Sequence, residues 1–263
     1  METPTDLSTN SSGSSVPLIR MENITKRFGG ICAVNDVTFE LNPGEVLALV
    51  GDNGAGKSSL MKILSGAYEA EVGSIYIRGQ KVRIENPMDS RRLGIETIYQ
   101  NLTLVNTLDI PSNIFLGREI RHGGFLGRLG LMNLLEMRES AFALLDDFRI
   151  TIKDSDQEVK NLSGGQRQMV SISRAVEFEA KIIIMDEPTA ALGVAETKKV
   201  YEFIHQLKEK HLSVIIISHN INEVFSVADR FMVMKTGSLV GIKRKEDTSI
   251  DDIVGMIISG RLS

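Results

Sequence analysis

The apolar residues of the chain follow two patterns, which predict two kinds of β-strand. Residues 46–50, 182–185 and 213–217 are short and almost entirely apolar. Such runs are typical of strands that are buried on both faces of a parallel sheet. Residues 18–24 predict a first strand, and residues 37–41 alternate apolar and polar side chains. This alternation predicts a half-buried antiparallel strand beside the parallel core.

Further elements complete an α/β pattern. Residues 73–79 and 94–100 read as strands, the latter ending at Gln100. A terminal hairpin is predicted around residues 236–237, and helices are predicted over 195–210 and 250–258. Strands that alternate with helices in this way predict a single α/β domain over residues 18–263.

The segment from about 102 to 161 has a different pattern. Residues 122–127 predict a loop, because they include three glycines. Large apolar residues then recur at helical spacing, which predicts a mainly helical subdomain inserted into the α/β core. We expect this apolar stripe to be buried; it consists of Leu131, Leu134, Leu135, Phe142, Leu145 and Phe148.

Composition narrows the class of protein. The 263 residues are 42% hydrophobic, as in ordinary globular domains, and carry a net charge of −4. An acidic balance argues against nucleic acid as the main partner. The single cysteine, Cys32, cannot form an internal disulfide, and no apolar run is long enough to span a membrane. Residues 1–17 are rich in Ser, Thr and Asn and predict a disordered tail.

The strongest chemical signal follows the apolar run at 46–50. Residues 51–58 match G-x-x-x-x-G-K-[ST] between a predicted strand and a predicted helix that Gly66 ends. Backbone N–H groups and the helix start would bind phosphates, Lys57 would reach the terminal phosphates, and Ser58 would ligate Mg²⁺. The predicted loop comprises Gly51, Asp52, Asn53, Gly54, Ala55, Gly56, Lys57 and Ser58, followed by Ser59.

Later motifs supply what hydrolysis of a nucleoside triphosphate requires. Asp186 and Glu187 follow a buried strand, where the first can support Mg²⁺ and the second can activate water. Gln100 and His219 also end predicted strands, and such ends line the ligand crevice of a doubly wound sheet. An aromatic ring at Phe28, on a turn near the nucleotide, can stack on adenine.

The motif Leu162-Ser-Gly-Gly-Gln166 fits a helix start, with Ser163 and Gln166 spaced as a capping box. Gly164 and Gly165 each cost up to about 1 kcal/mol of helix propensity relative to alanine. A helix end that must let a phosphate approach its N–H groups would benefit from them.

These motifs, in this order, resemble the nucleotide-binding domain of ABC transporters over nearly everything from residue 18 onward. The resemblance implies a P-loop NTPase with a RecA-like parallel-sheet core, an antiparallel β subdomain and an inserted helical subdomain. It implies that Phe28 stacks on the adenine of ATP, and that Ser58 and Gln100 ligate Mg²⁺ with support from Asp186. Glu187 would be the general base, and His219 would contact the γ-phosphate.

The same resemblance implies a head-to-tail homodimer in which each site is completed in trans. Ser163, Gly164, Gly165 and Gln166 of one subunit would close over ATP bound by the other. Two positions depart from the usual pattern. Gly193 stands where an Asp usually contacts the opposite subunit, and Phe28 replaces the commoner tyrosine.

A narrower resemblance is to the monosaccharide importers, carried by residues 100–105, 113–119, 186–194 and 217–220. It implies an ATPase at the cytoplasmic face of the inner membrane, bound peripherally to a multispanning permease. An extracytoplasmic sugar-binding protein would deliver the sugar, whose identity this chain does not encode. The alternative is a soluble ABC ATPase that acts on ribosomes or DNA, against which the acidic balance counts.

Overall fold

A computed structural model of the protein describes residues 16–100, 102–150, 152 and 157–262. The predicted tail therefore lies mostly outside the described residues, and so does Asn101 within the importer-like segment. The strands are β1 (Ile19–Phe28), β2 (Ile31–Leu41), β3 (Val46–Val50), β4 (Val72–Ile77), β5 (Gln80–Val82), β6 (Ile95–Ile98), β7 (Ile182–Asp186), β8 (Ser213–Ile217), β9 (Arg230–Lys235) and β10 (Ser238–Arg244). The helices are α1 (Lys57–Leu64), α2 (Pro87–Arg92), α3 (Ile110–Ile114), α4 (Gly124–Arg128), α5 (Leu134–Asp147), α6 (Gly164–Glu177), α7 (Val194–Glu209), α8 (Ile221–Val224) and α9 (Ile250–Ser259).

The larger sheet has the strand order β10-β9-β3-β8-β7-β6. Its strands from β9 to β6 are parallel, and β10 pairs antiparallel with β9 in the predicted hairpin. Every residue of β3 and of β8 is buried. The unbroken apolar runs follow from this position, because central parallel strands have no solvent-facing side.

A second, antiparallel sheet has the order β2-β1-β4-β5. Its inner face shares one hydrophobic core with α1 and with alternate side chains of the larger sheet, including Leu47 and Leu49. The other side chains of β3, such as Ala48, point into a second core with α6 and α7. The larger sheet thus separates two cores, as the period-two geometry of its strands requires.

The segment between β6 and α6 contains α3, α4 and α5, and both α3 and α5 pack against α6. The predicted burial of its apolar stripe is wrong for four of six residues: Leu131, Leu134, Leu135 and Phe142 are exposed, whereas Leu145 and Phe148 are buried. The buried face of α5 instead carries Met137, Ala141 and Leu145, spaced four residues apart. A stripe traced through large side chains misses this face because alanine lets α5 approach its neighbours closely.

The predicted loop at 122–127 is also partly wrong, since α4 begins at Gly124. Glycine has low helix propensity, but a single turn that is fixed by its neighbours overrides that preference. Backbone hydrogen bonds from His122 N to Leu131 O and from Asn133 N to Ile120 O tie this turn to the start of α5. The exact boundaries of a helical subdomain remain a prediction. Among the helices that the structure describes, none is long and apolar enough to cross a bilayer.

Candidate functional site

The carboxyl ends of four parallel strands meet at one edge of the larger sheet. Asp186, the last residue of β7, pairs with Ile217 of β8, and Ile98 at the end of β6 pairs with Met185. Leu49 of β3 also pairs with Ile217. The residues that follow these strands are those that the sequence marked, and such an edge is the usual ligand crevice of an open α/β sheet.

The loop after β3 folds into a tight turn that leads directly into α1. Gly56 caps α1 in the left-handed conformation, with φ of 95°, and a β-carbon there would lie 2.3 Å from the carbonyl oxygen of Ala33. Only glycine fits, because it has no side chain and tolerates positive φ. The turn therefore leaves the first N–H groups of α1 without side-chain cover at its N-cap.

Lys57, the first residue of α1, is buried and folds back into this loop. Its Nζ donates to the carbonyl oxygens of Gly51, at 2.7 Å, and Asp52, at 2.8 Å. These bonds use two of the three N–H donors of an ammonium group. Burial lowers the pKa of Lys57, although the carboxylates of Glu187, Asp186 and Asp52 oppose that shift. The cation is thus placed at the predicted phosphate position before any anion arrives.

Ser58 and Asp186 bring the ends of β3 and β7 together. The Ser58 hydroxyl donates to Asp186 Oδ1 at 3.4 Å. Burial raises the pKa of Asp186, and the Ser58 hydrogen bond opposes that shift. A partly buried carboxylate is suited to a cation, because a positive charge would relieve its desolvation.

Glu187 is the centre of the arrangement. Its Oε1 lies 3.0 Å from Nδ1 of His219, and its Oε2 accepts a 3.4 Å hydrogen bond from Nε2 of Gln100. The acidic residue thus joins the predicted ends of β6, β7 and β8. A carboxylate can only accept here, so Nδ1 of His219 carries the proton in this contact.

The backbone at Glu187 is in the left-handed region, with φ of 49°, and its N–H donates to the carbonyl oxygen of Ile217 at 3.0 Å. A non-glycine residue in that region costs about 1–2 kcal/mol. Such local strain is typical of functional positions, where the surrounding structure holds a side chain in a required direction.

Phe28 ends β1 and is 41% exposed. Its ring packs edge-on against Tyr68, with 5.0 Å between the ring centroids, and Nζ of Lys26 lies 5.5 Å from the Phe28 centroid. The ring is therefore supported from behind while part of its surface stays open for stacking. Tyr68 carried no sequence motif, and only the spatial contact reveals it.

The capping box predicted at Ser163 and Gln166 is confirmed. Ser163 caps α6, its hydroxyl accepts from Gln166 N at 3.2 Å, and its own N–H donates to Gln166 Oε1 at 3.0 Å. The structure does not bring this motif to the phosphate loop. Among the described residues, Ser163, Gly165 and Gln166 line a separate cleft of about 580 Å³ with Glu196 of α7.

Glu196 is the main site residue that sequence reasoning missed. Its carboxylate accepts from the backbone N–H groups of Gly165, at 3.3 Å, and Gly193, at 3.4 Å. Its spacing of three residues after Gly193, the N-cap of α7, was the available signal. A β-carbon at Gly193 would meet nothing within 4 Å, so the structure leaves room for the usual side chain there.

No group of three or more His, Cys, Asp or Glu side chains in the described part of the chain could hold a metal by itself. A magnesium ion would therefore depend on phosphate oxygens and water, together with Ser58, Gln100 and Asp186. Mg²⁺ commonly binds in this way, keeping several waters and taking one or two carboxylates plus substrate phosphates. The oxygen donors present fit that ion.

Comparison with known sequences gives a consistent result. A family model described as "ABC transporter" matches residues 34–190. The xylose/arabinose import ATP-binding protein of Sulfolobus acidocaldarius is 47% identical over 92% of this chain and 94% of its own length. The fructose import ATP-binding protein of Rhizobium meliloti is 41% identical, over 93% and 95%. The ribose import ATP-binding protein of Caldanaerobacter subterraneus is 39% identical over 94% of this chain, which spans only 48% of that relative.

Solved structures agree with the fold. The ADP conformation of an ATP-binding cassette from an ABC transporter superposes with a TM-score of 0.78 at 27% identity, covering 94% of this chain and 96% of that one. A dimeric post-hydrolysis cassette bound to ADP and Pi gives 0.69 at 25% identity, over 86% and 98%. The RecA-like core with a second, antiparallel sheet is thus confirmed.

Proposed function

Because this chain belongs to the ABC transporter family, we propose that it is the ATP-hydrolysing subunit of a monosaccharide importer. One observation carries the proposal: Glu187 is held by Gln100 and His219 beside a phosphate loop that already contains Lys57. The relatives named for xylose/arabinose and fructose import support the class of cargo. Each of them matches this chain over nearly its full length.

ATP would bind with its phosphates in the loop formed by residues 51–58, and with Ser59 in the first turn of α1. The N–H groups of the loop and the α1 start would hold the phosphate oxygens, and the Lys57 ammonium would neutralise the terminal phosphates. Phe28, supported by Tyr68, would stack on adenine. When bound, Mg²⁺ would neutralise charge on the β- and γ-phosphates, held by Ser58 and Gln100 with Asp186 in support.

Hydrolysis requires a water molecule aligned with the γ-phosphorus. We assign Glu187 to accept a proton from that water. The water oxygen then forms the new P–O bond while the bond between the γ-phosphorus and ADP breaks. Gln100 would position the water and would also contact Mg²⁺. His219, whose Nδ1–H is engaged by Glu187, would hold the carboxylate and contact the γ-phosphate.

Residues 162–166 form what we call the signature motif, at the start of α6. The cleft that this motif lines is separate from the phosphate loop, which supports a site shared between two subunits. Ser163, Gly164, Gly165 and Gln166 of one copy would cover ATP held by another copy in a head-to-tail homodimer. The dimeric relative with ADP and Pi supports this assembly. Gly193 would lie near the same interface, without the side chain usually found there.

The closing of the dimer on ATP must be transmitted to a permease. The α4–α5 segment exposes eight large apolar side chains, a set that water alone does not favour. We assign them to contact with a multispanning permease, at the cytoplasmic face of the inner membrane, while an extracytoplasmic sugar-binding protein delivers the sugar. The net charge of −4 supports a protein partner and opposes nucleic acid. The exposed residues are Phe125, Leu126, Leu129, Leu131, Met132, Leu134, Leu135 and Phe142.

The decisive experiment is Glu187→Gln, which keeps the shape of the side chain but removes its basicity. Turnover should fall by about 10²–10⁴-fold, the usual contribution of a general base. ATP should still bind, and a stable ATP-bound dimer should accumulate in analytical ultracentrifugation. Glu209→Gln, an exposed change at the end of α7, is the control and should behave like the parent.

Hydrolysis by Glu187→Gln at the parent rate would show that the base is another group. The importer assignment is tested separately by purifying the tagged protein from its own membranes. A multispanning permease should accompany it, whereas recovery of ribosomal proteins or DNA alone would favour the soluble alternative.

A further inference from the structure

Glu196 binds the start of the signature helix α6. Its Oε1 accepts from Gly165 N at 3.3 Å, and the Ser163 side chain is close enough to the same carboxylate to lower the pKa of Glu196. Its Oε2 accepts from Gly193 N, at the start of its own helix, at 3.4 Å. One partly buried carboxylate thus lies between the starts of α6 and α7, where the dipoles of both helices favour negative charge.

The packing around this carboxylate is close. A β-carbon at Gly165 would lie 3.0 Å from Cβ of Glu196 and 3.2 Å from its Cγ, and one at Gly164 would lie 2.9 Å from Leu192. Leu192 and Glu196 therefore occupy the space beside Gly164 and Gly165 in this structure. The two glycines lack side chains, which would let a phosphate approach, and here the same space admits Glu196.

The Gly165 N–H that Glu196 occupies belongs to the motif that we propose covers ATP on the other subunit, and the neighbouring Ser163 hydroxyl belongs to the same motif. The Ser163 hydroxyl and the Gly165 N–H each have one hydrogen to donate, and either a carboxylate oxygen or a phosphate oxygen can accept it. Both cannot take them at once, because two anions at hydrogen-bond distance from the same donors repel each other.

We propose that Glu196 is a resident anion that holds the γ-phosphate position of the signature motif in the open subunit and leaves it when the dimer closes on ATP. This inference rests on the proposed function, since it needs the site to be completed in trans. Glu196 is then a competing anion: it occupies the position beside Gly165 and makes closure depend on a stronger anion.

The structure offers a place for the displaced side chain. The cleft of about 580 Å³ is also lined by Lys199, which lies one turn further along α7. Hydrogen bonds from Ser163, then from Gly165 and Gly193, hold the pKa of Glu196 below its ordinary value, and the Lys199 charge acts in the same direction. A rotation toward Lys199 would replace the lost hydrogen bonds by an ion pair on one helix face.

The consequence is a nucleotide threshold. ATP brings a γ-phosphate that can replace the carboxylate, whereas ADP brings no group to this position. A subunit with ADP would therefore keep Glu196 in place and remain open. Removing the competing anion should lower the ATP concentration at which dimers form.

The test is made in the Glu187→Gln background, where ATP-bound dimers accumulate. Glu196→Gln and Glu196→Ala are compared with Glu202→Gln, which removes the same charge from an exposed position on α7 in the same cleft. The ATP concentration for half-maximal dimerisation, read by ultracentrifugation, should fall about threefold or more for both Glu196 variants, since a larger fraction of molecules is competent to close. Glu202→Gln should leave it unchanged.

A purely supporting role for Glu196 would have the opposite sign, because loss of support would raise the ATP requirement. An unchanged or raised requirement in Glu196→Gln, with an unchanged melting temperature, overturns the inference. Glu196→Gln decides the matter if the alanine variant does not fold. If the Glu187→Gln parent itself forms no dimer with ATP, the proposed function fails as well, so the two failures are distinguishable.

Discussion

At the scale of single residues, the neighbours of Phe28 support the ring that we propose stacks on adenine. Phe28 is the last residue of β1, so its backbone is fixed by pairing while its ring projects beyond the sheet. Tyr68 meets that ring edge-on, the geometry that the charge distribution of aromatic rings favours. Lys62 lies 5.4 Å from the centroid of Tyr68 and connects this pair to α1. The stacking surface is thus supported from the phosphate-binding helix.

Tyr68→Leu should therefore weaken ATP binding without changing the chemical step. An edge-to-face aromatic pair contributes about 0.5–1.5 kcal/mol, so KM for ATP should rise about two- to tenfold while kcat stays near the parent value. Steady-state kinetics with ATP as the varied substrate measure both. Tyr76→Leu is the matched control, because Tyr76 lies on β4 and its ring contacts Arg20 rather than Phe28. A fall in kcat alone would contradict this role for Tyr68.

The sequence identified residues whose roles depend on local spacing, and missed those that depend on contact across the fold. Lys57 and Asp186 could be found because the loop pattern and the strand end each fix the position of a side chain. The spacing of Glu196 from Gly193 predicts only a helix cap, because its other partner, Gly165, is 31 residues away in sequence. The glycine cost in this motif predicts the approach of a phosphate, which stays a prediction. In this structure the side chain of Glu196 approaches Gly165.

At the scale of elements, α6 has opposite features at its two ends. It begins with two glycines and a capping box, and it ends with Glu177, where the helix dipole disfavours negative charge. Partial burial raises the pKa of Glu177. The folded protein thus holds a proton on Glu177 more tightly than the unfolded chain does. Stability must then fall as the pH rises through the ordinary value of 4.5 toward the raised one.

Glu177→Gln should stabilise the protein at pH 7–8, by about 0.3–1 kcal/mol from the helix dipole together with the relief of burial. The gain should disappear below about pH 4, where the parent glutamate is protonated in both states. Urea denaturation at several pH values measures it. Glu209→Gln is the control, because Glu209 ends α7 in the same way but is exposed. Equal gains from both variants would show that burial contributes nothing.

The α5 helix shows where element prediction fails. Its existence followed from apolar spacing, but its orientation did not, because Leu134 and Leu135 are larger than Ala141 and yet exposed. Burial is decided by which face fits α3 and α6, and this depends on the shape of those neighbours rather than on hydrophobicity alone. By contrast, β3 and β8 were predictable because no face of a central strand is available to water.

At the scale of the whole molecule, the larger sheet separates two hydrophobic cores, and each core supports a different part of the proposed site. The core that contains α1 and the antiparallel sheet supports the phosphate loop and Phe28. The other core contains α5, α6 and α7 and supports the signature motif. The exposed apolar residues of the α4–α5 segment belong to the second side. Contact with a permease there would act first on α6, and only through the sheet on the bound nucleotide.

Leu134→Ser combined with Leu135→Ser should uncouple transport from ATP hydrolysis. Uptake of sugar by vesicles that carry the protein with its permease should fall at least about tenfold, as expected when an apolar contact worth 1.4 kcal/mol or more is lost. The ATPase rate of the isolated protein should stay unchanged. Val72→Ser, an equally exposed apolar position on β4, should affect neither measurement. Normal uptake by the double variant would place the permease contact elsewhere.

The left-handed backbone at Glu187 has an evolutionary consequence. Glycine adopts that conformation without steric cost, so the residue that fits the backbone best at position 187 has no carboxylate to act as a base. Laboratory selection for heat resistance alone would therefore tend to erase the carboxylate, whereas selection for growth on the imported sugar would restore it. Stability and activity are therefore opposed at this position, because the residue that fits the backbone best lacks the carboxylate.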